Sequence, residues 1–301
     1  MWAFEAALLA LLWKTSASLS PDRASATGQR LLKILGLRLS HKTRIFKHNL
    51  TLAFPDKTDA ELNALIREIW GNLGAVLAEY PHLKDICGRE AEQRIETVVK
   101  GNIQALSQSG KGAIFVSAHL ANWEVCPAAG ARLGLPLKVV YTPLQNPWLD
   151  RMLLRQRQAL DYEPISKDGS MPQIIRQLAA GGSVGMIIDQ RFDNGEPVPF
   201  FGLDKFTTLI PARLALRFNC ELVPIRAERL QGARFRVTFY EPIRPDNEAA
   251  SERDQLFQMM AKVNALFETW IREHPQQWLC SKRRWPKTAN PLLSSNLKAI
   301  S

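Results

Sequence analysis

Ala113-Ile114-Phe115-Val116-Ser117-Ala118-His119-Leu120-Ala121-Asn122-Trp123-Glu124 starts as an apolar run and ends in a more polar turn. The run is rich in strand formers and follows Gly110-Lys111-Gly112, so it reads as a short buried strand that stops near Ser117. Comparable apolar runs recur at residues 137–141, 184–188 and 222–225, and residues 235–240 alternate more clearly. Helical segments are expected between several of them, over residues 122–133, 147–160, 171–180 and 210–218. Strands alternating with helices imply an α/β fold: a mixed, mostly parallel central sheet flanked by helices.

Two longer helices frame this core. Leu62, Leu65, Ile66, Ile69, Trp70, Leu73, Val76, Leu77 and Tyr80 fall on one helical stripe over residues 59–80. Pro55 and Thr58 mark its start and Pro81 its end. Residues 252–273 form a second amphipathic helix, with Leu256, Met260, Val263, Phe267, Trp270 and Ile271 on one side.

In open α/β sheets, chemistry collects beyond the carboxyl ends of the strands. His119 and Glu124 lie there, on either side of a strand-to-helix turn with Asn122 as the expected N-cap. In that geometry the Glu124 carboxylate folds back to the imidazole, fixes its tautomer and stabilises the imidazolium. A His/Glu pair with no partner nucleophile suggests a base that activates a hydroxyl of the substrate itself. The spacing alone also fits a turn histidine followed by a capping glutamate.

The chain has 301 residues, 46% of them hydrophobic and 23% charged, which excludes a disordered composition. Its net charge of +10 favours an anionic partner: nucleic acid, an acidic protein or an anionic membrane. No nucleic-acid motif is present, and the aromatic residues do not interleave with the basic ones as a binding platform requires. A basic protein that only binds membranes or nucleic acid is the non-enzymatic alternative. Cys87, Cys126, Cys220 and Cys280 are too scattered for a zinc site or a redox pair and fit a reducing compartment.

The N-terminal stretch from Trp2 to Trp13 is apolar apart from Glu5. It falls short of the ~20 residues that a spanning helix needs. With a tryptophan at each end and Lys14 after it, it reads as a helix anchored at a bilayer interface or as a buried core helix. The first reading divides the chain into an anchor helix over residues 1–20 and a catalytic domain over residues 21–301. Arg23, Arg30, Lys33, Arg38, Lys42, Arg44 and Lys47 would then hold the chain on the cytoplasmic face.

His-Leu-Ala-Asn-Trp-Glu at residues 119–124 resembles the His-x4-Asp/Glu motif of glycerolipid-type acyltransferases. The chain as a whole resembles the lipid A biosynthesis lauroyl/myristoyl acyltransferases. Asn49-Leu50-Thr51-Leu52-Ala53-Phe54-Pro55 is similar to that family's Asn-Leu-x-x-Ala-Phe-Pro signature, and Asn72-Leu73-Gly74 leads to Glu79 as in the helix that follows it. Tyr141-x-Pro143, Asn146-Pro147 with Asp150, Asp189-Gln190 and the stretch from Pro197 to Gly202 match in order. Pro275-Gln276-Gln277-Trp278 and Arg283-Arg284-Trp285 complete the series. One departure stands between them: Cys280-Ser281-Lys282 occupies a place where the family usually has a tryptophan and a histidine.

The resemblance implies a glycerolipid-acyltransferase-like fold at the cytoplasmic face of a bacterial inner membrane. It implies transfer of a fatty acyl group from acyl carrier protein to a hydroxyl of a lipid A precursor, with no metal or redox cofactor. His119 is then the catalytic base and Glu124 its orienting carboxylate. Arg155 or Arg157 would stabilise negative charge or bind a lipid phosphate, Asp189 and Gln190 would support the substrate site, and Arg283 and Arg284 would contribute to binding anionic partners. The alternatives within this chemistry are an acyl-CoA donor, or a lysophospholipid or glycolipid acceptor.

Overall fold

The computed structural model describes residues 2–88, 93–101, 111–134, 137–158, 160 and 162–289. Met1, Gly110, Ala159 and residues 290–301, which fall within stretches discussed above, lie outside the described residues. The amino-terminal part carries helices α1 (Trp2–Ala17), α2 (Pro21–Leu35), α3 (Ser40–Ala53), α4 (Asp59–Glu79) and α5 (Leu83–Cys87). Strands β1 (Ile95–Val99) and β2 (Ala113–Ser117) follow, then α6 (Val125–Arg132), β3 (Leu137–Tyr141), α7 (Pro147–Arg157), β4 (Glu163–Ser166), α8 (Met171–Ala179) and β5 (Ser183–Ile187). A hairpin of β6 (Glu196–Phe200) and β7 (Leu203–Thr207) precedes α9 (Ile210–Phe218), β8 (Glu221–Arg229), β9 (Phe235–Phe239) and α10 (Glu252–Glu273).

Seven strands form one sheet in the order β1-β9-β8-β2-β5-β3-β4. Five of them, β8 through β4, run parallel, whereas β9 joins β8 antiparallel and β1 pairs with β9. The mixed, mostly parallel α/β sheet anticipated from the alternation is therefore present. Every residue of β2 is buried, as befits a central parallel strand covered on both faces. One face packs Ile114 and Val116 against α9, α10 and the aromatic side chains of the β6–β7 hairpin. The other packs Ala113 and Phe115 against α6 and the region around Tyr80.

Helix α4 begins with the capping box its sequence encodes. Thr58 Oγ1 accepts from Glu61 N at 3.3 Å, and Glu61 Oε2 accepts from Thr58 N at 2.8 Å. The stripe from Leu62 to Val76 is mostly buried, with α2, α3 and the turn at Pro275–Gln277 packed against the helix. Helix α1 lies on this body: Trp13 stacks on Tyr80 at 5.6 Å, and Ser16 Oγ donates to Ala78 O at 2.5 Å. Its other face is open, with Phe4 74%, Leu8 60% and Leu11 60% exposed. No described helix is long and apolar enough to cross a membrane.

Helices α2 and α4 touch backbone to backbone where Gly28 meets Gly74. A Cβ on Gly74 would lie 2.1 Å from Gly28 O, closer than any side chain tolerates. Gly74→Ala is therefore expected to push the two helices apart and cost about 1–3 kcal/mol. The cost should appear as a lower urea midpoint, and an unchanged midpoint would contradict this packing.

Candidate active site

The parallel register of β2 and β5 builds the site. Ser117 is level with Ile187, so the chains leave the sheet side by side, and His119 and Asp189 each sit two residues beyond that pair. His119 Nδ1 lies 2.5 Å from Asp189 Oδ1. With Nδ1–H donating to the carboxylate, Nε2 carries the lone pair, and Gln190 Nε2 donates to it at 3.3 Å. The other oxygen, Asp189 Oδ2, accepts from Trp278 Nε1 at 3.0 Å and from Arg284 Nη2 at 2.6 Å. Burial by itself raises the Asp189 carboxyl, but Arg284, His119 and the hydrogen bonds outweigh it and hold the group well below the usual carboxylate range.

Glu124, expected to fold back onto the imidazole, makes no hydrogen bond to His119. Its Oε1 accepts from Tyr80 OH at 2.9 Å, Trp123 Nε1 at 3.1 Å and Arg157 Nη2 at 2.5 Å. Its Oε2 accepts from Arg157 Nε at 2.9 Å and Tyr162 OH at 3.2 Å. The reason is the course of the chain after His119. Ala121 takes a left-handed step at φ +50°, and α6 starts only at Val125. Glu124 therefore meets the C-terminal end of α7 and Tyr80 rather than the imidazole. Burial opposes its ionisation, but Arg157 and the hydroxyls of Tyr80 and Tyr162 keep it ionised and its pKa low. Trp123 joins the two clusters, its ring edge-on to His119 at 5.2 Å and its Nε1 on Glu124.

His119, Glu124, Arg157 and Gln190 line a cleft of about 1570 Å³. Its deeper walls are apolar, with Phe115, Leu137, Val139, Met186 and Ile225 among them. Its rim is basic and includes Lys42, Lys167, Arg191, Lys282 and Arg283. Arg155 is exposed and does not line this cleft, so of the two helix arginines only Arg157 belongs to it. Arg284, expected among the groups that bind anionic partners, is fully buried beneath the cleft and bound to Asp189. A charge sealed there must be paired internally, and Asp189 is the partner.

The departure from the family pattern divides in the same way. Cys280 is buried, which pushes its thiol up to about 12, whereas Ser281 and Lys282 reach the cleft rim. Burial and the nearby Lys167, Arg284 and Lys42 hold the Lys282 ammonium below the usual lysine range.

Further supporting residues come from remote segments. Glu79, fully buried, pairs with Arg229, and Asn122 Nδ2 donates to Glu79 Oε2 at 2.9 Å. Asn72 Nδ2 holds the carbonyl of the left-handed Ala121 at 3.1 Å. Lys205 is also fully buried and donates to Asp189 O at 3.3 Å, with burial pushing its pKa down to about 7. The pairing of His119 with Asp189 had one signal in the sequence: both residues follow apolar runs at a strand end. Which strands are neighbours is not encoded in either run.

The chain belongs to the family described as bacterial lipid A biosynthesis acyltransferase, whose pattern matches residues 2–287. It is accordingly an acyltransferase. It is 22% identical over 255 residues to the lipid A biosynthesis palmitoleoyltransferase of Escherichia coli (strain K12), covering 82% of this chain and 79% of that one. The lipid A biosynthesis acyltransferase of Shigella flexneri matches with the same identity and coverage. Among solved structures, the 1-acyl-sn-glycerophosphate acyltransferase of Thermotoga maritima aligns over 82% of this chain and 98% of its own, with 13% identity and a TM-score of 0.37.

Two buried carboxylates held below their ordinary pKa give the fold a defined acid sensitivity. The unfolded chain binds more protons in acid than the native one, so their contribution is complete above the unfolded value of ~4 and is lost as pH falls through the lower folded values. The urea midpoint is expected to fall from pH 5 to pH 3, less steeply in Asp189→Asn. Equal slopes would show that Asp189 is not held low.

Proposed function

We propose that this acyltransferase moves a fatty acyl group from the thioester of an acyl carrier protein to a hydroxyl of a lipid A precursor, with His119 as general base and Asp189 as its orienting carboxylate. The observation that carries this reading is the His119–Asp189 contact at 2.5 Å at the edge of an apolar cleft. Asp189 fixes the Nδ1–H tautomer, so Nε2 is the nitrogen that accepts the proton of the attacking hydroxyl. The oxygen then adds to the thioester carbonyl, the tetrahedral intermediate collapses, and the thiolate leaves with the proton returned by the imidazolium. The histidine needs no serine or cysteine, since the acceptor hydroxyl is itself the nucleophile.

Arg157 has the remaining role in the chemistry. Glu124 grips it from one side, leaving a fixed cation on the cleft wall for the negative charge that develops on the carbonyl oxygen. Glu124 thus serves the oxyanion side of the reaction rather than the base. The cleft exceeds the ~300–1,000 Å³ usual for small-molecule sites, which suits a fatty chain and part of a lipid acceptor together. Its basic rim suits an acidic carrier protein and a phosphorylated lipid.

Helix α1 is the proposed point of contact with the inner leaflet of the bacterial inner membrane. Phe4, Leu8 and Leu11 form an exposed apolar face on a helix too short to span, the arrangement of an interfacial anchor.

His119→Ala is expected to remove acyl transfer from acyl carrier protein thioesters to lipid A precursors, monitored by mass spectrometry, with the fold retained by circular dichroism. Full transfer by that variant would end the assignment of the base. Running the same assay with CoA thioesters and with lysophospholipid acceptors identifies the donor and the acceptor. Replacing Leu8 and Leu11 by glutamate should shift the protein from vesicles of anionic phospholipid to the supernatant without loss of fold. Unchanged sedimentation with vesicles would refute the anchor.

A further inference from the structure

Resting on the reading of His119 and Asp189 as base and orienting carboxylate, we infer that Arg284 is a positioning residue of the reaction: it fixes the Asp189 carboxylate from behind so that one oxygen alone is presented to His119. Arg284 is fully buried and touches no open part of the cleft, so it acts through Asp189 rather than on substrate.

The segment from Pro275 to Arg284 crosses behind both members of the pair. Its backbone is strapped to the turn that carries the base: Leu279 N donates to His119 O at 2.8 Å, and Ala121 N donates to Gln277 O at 3.0 Å. Its side chains hold the other member of the pair, Trp278 Nε1 and Arg284 Nη2 both donating to Asp189 Oδ2. One short segment therefore sets the position of both members of the pair. Leu279 takes part twice, since its carbonyl accepts from Arg284 Nη2 at 3.2 Å.

Arg284 is itself braced. Its Nη1 donates to Lys282 O at 2.9 Å, its backbone N donates to Asn49 Oδ1 at 2.9 Å, and its guanidinium lies over the Trp278 ring at 5.4 Å. Asn49 Nδ2 in turn holds the carbonyls of Cys280 and Lys282, each at 2.8 Å. A residue donated from α3 thus clamps the segment at its far end. This rigidity matters because a carboxylate turns readily about its terminal torsion, which is broad rather than staggered. Two donors on Oδ2 remove that freedom. The buried cation also keeps Asp189 ionised, the state that accepts the Nδ1–H hydrogen bond and stabilises the imidazolium.

A double-mutant cycle separates this role from substrate binding and from general support of the fold. In Arg284→Gln, kcat is expected to fall about 100-fold while KM for donor and acceptor stays unchanged, the size of loss seen when a reacting group is slightly misplaced. Arg284→Lys, which keeps the cation but not the fork, should retain an intermediate rate. In an Asp189→Asn background the Arg284→Gln change is expected to cause no further loss of kcat, since the group it positions is already gone. A rise in KM with kcat preserved, or a full and additive loss in that background, would overturn the inference. Arg284→Gln alone leaves a buried carboxylate unpaired and could fail to fold. Arg284→Lys, which keeps the buried charge pair, then supplies the single-variant corner: a lowered kcat at unchanged KM supports the inference, and a wild-type kcat overturns it. Failure of the acyl-transfer reading has a different signature: His119→Ala would keep full activity.

Discussion

A carboxylate sealed in the protein interior imposes the largest set of requirements on this structure. Asp189 is fully buried and charged, a state that costs several kcal/mol unless both oxygens are satisfied. His119 satisfies one oxygen, and Arg284 with Trp278 the other. Arg284 is buried in turn and needs its own acceptors, which the 279–282 backbone provides. That stretch needs Asn49 to hold it. Segments more than two hundred residues apart in sequence are thereby committed to one place. Of the ordered motifs, those that contain Asn49, His119, Asp189, Trp278 and Arg284 meet at this network.

Much of the architecture could be read from residue order. The run 113–117 is β2 to the residue, the run 137–141 is β3, and the segments 210–218 and 252–273 are helices with the anticipated bounds. These elements are buried on predictable faces, so hydrophobic period and turn chemistry specify them. Others were not anticipated. Helices α2 and α3 are interrupted by many basic and small residues, and β6 and β7 contain Pro197, Pro199, Asp204 and Lys205, which mask a strand pattern. Lys205 shows why: a lysine reads as surface, yet here it is buried over the Phe200 ring at 4.5 Å with Asp189 O beside it.

The candidate site was legible as a set of neighbouring residues but not in their pairing. His119, Glu124, Arg157, Asp189 and Gln190 all lie on the cleft or directly behind it, and each was marked by strand-end placement or by the family resemblance. Closeness in sequence suggested Glu124 as the partner of His119. Strand adjacency gave the place to Asp189 instead, seventy positions along the chain. Local spacing constrains residues on one element, whereas sheet order decides what stands beside a strand end. Glu124 stays on the cleft because the left-handed turn at Ala121 directs it to Arg157.

Asn146 links the two ends of the functional surface. Its Oδ1 caps α7, accepting from Trp148 N at 3.0 Å, while its Nδ2 donates to Trp2 O at 3.0 Å and to Glu5 Oε2 at 2.9 Å. Helix α7 carries Arg157 at its other end, so the first turn of α1 and the charged wall of the cleft are fastened to one rigid rod. A bilayer surface lying against α1 would then serve as a datum plane. The depth at which a lipid enters the cleft would be measured from the membrane itself, and the reacting hydroxyl would be selected by its height above that plane as well as by its chemistry.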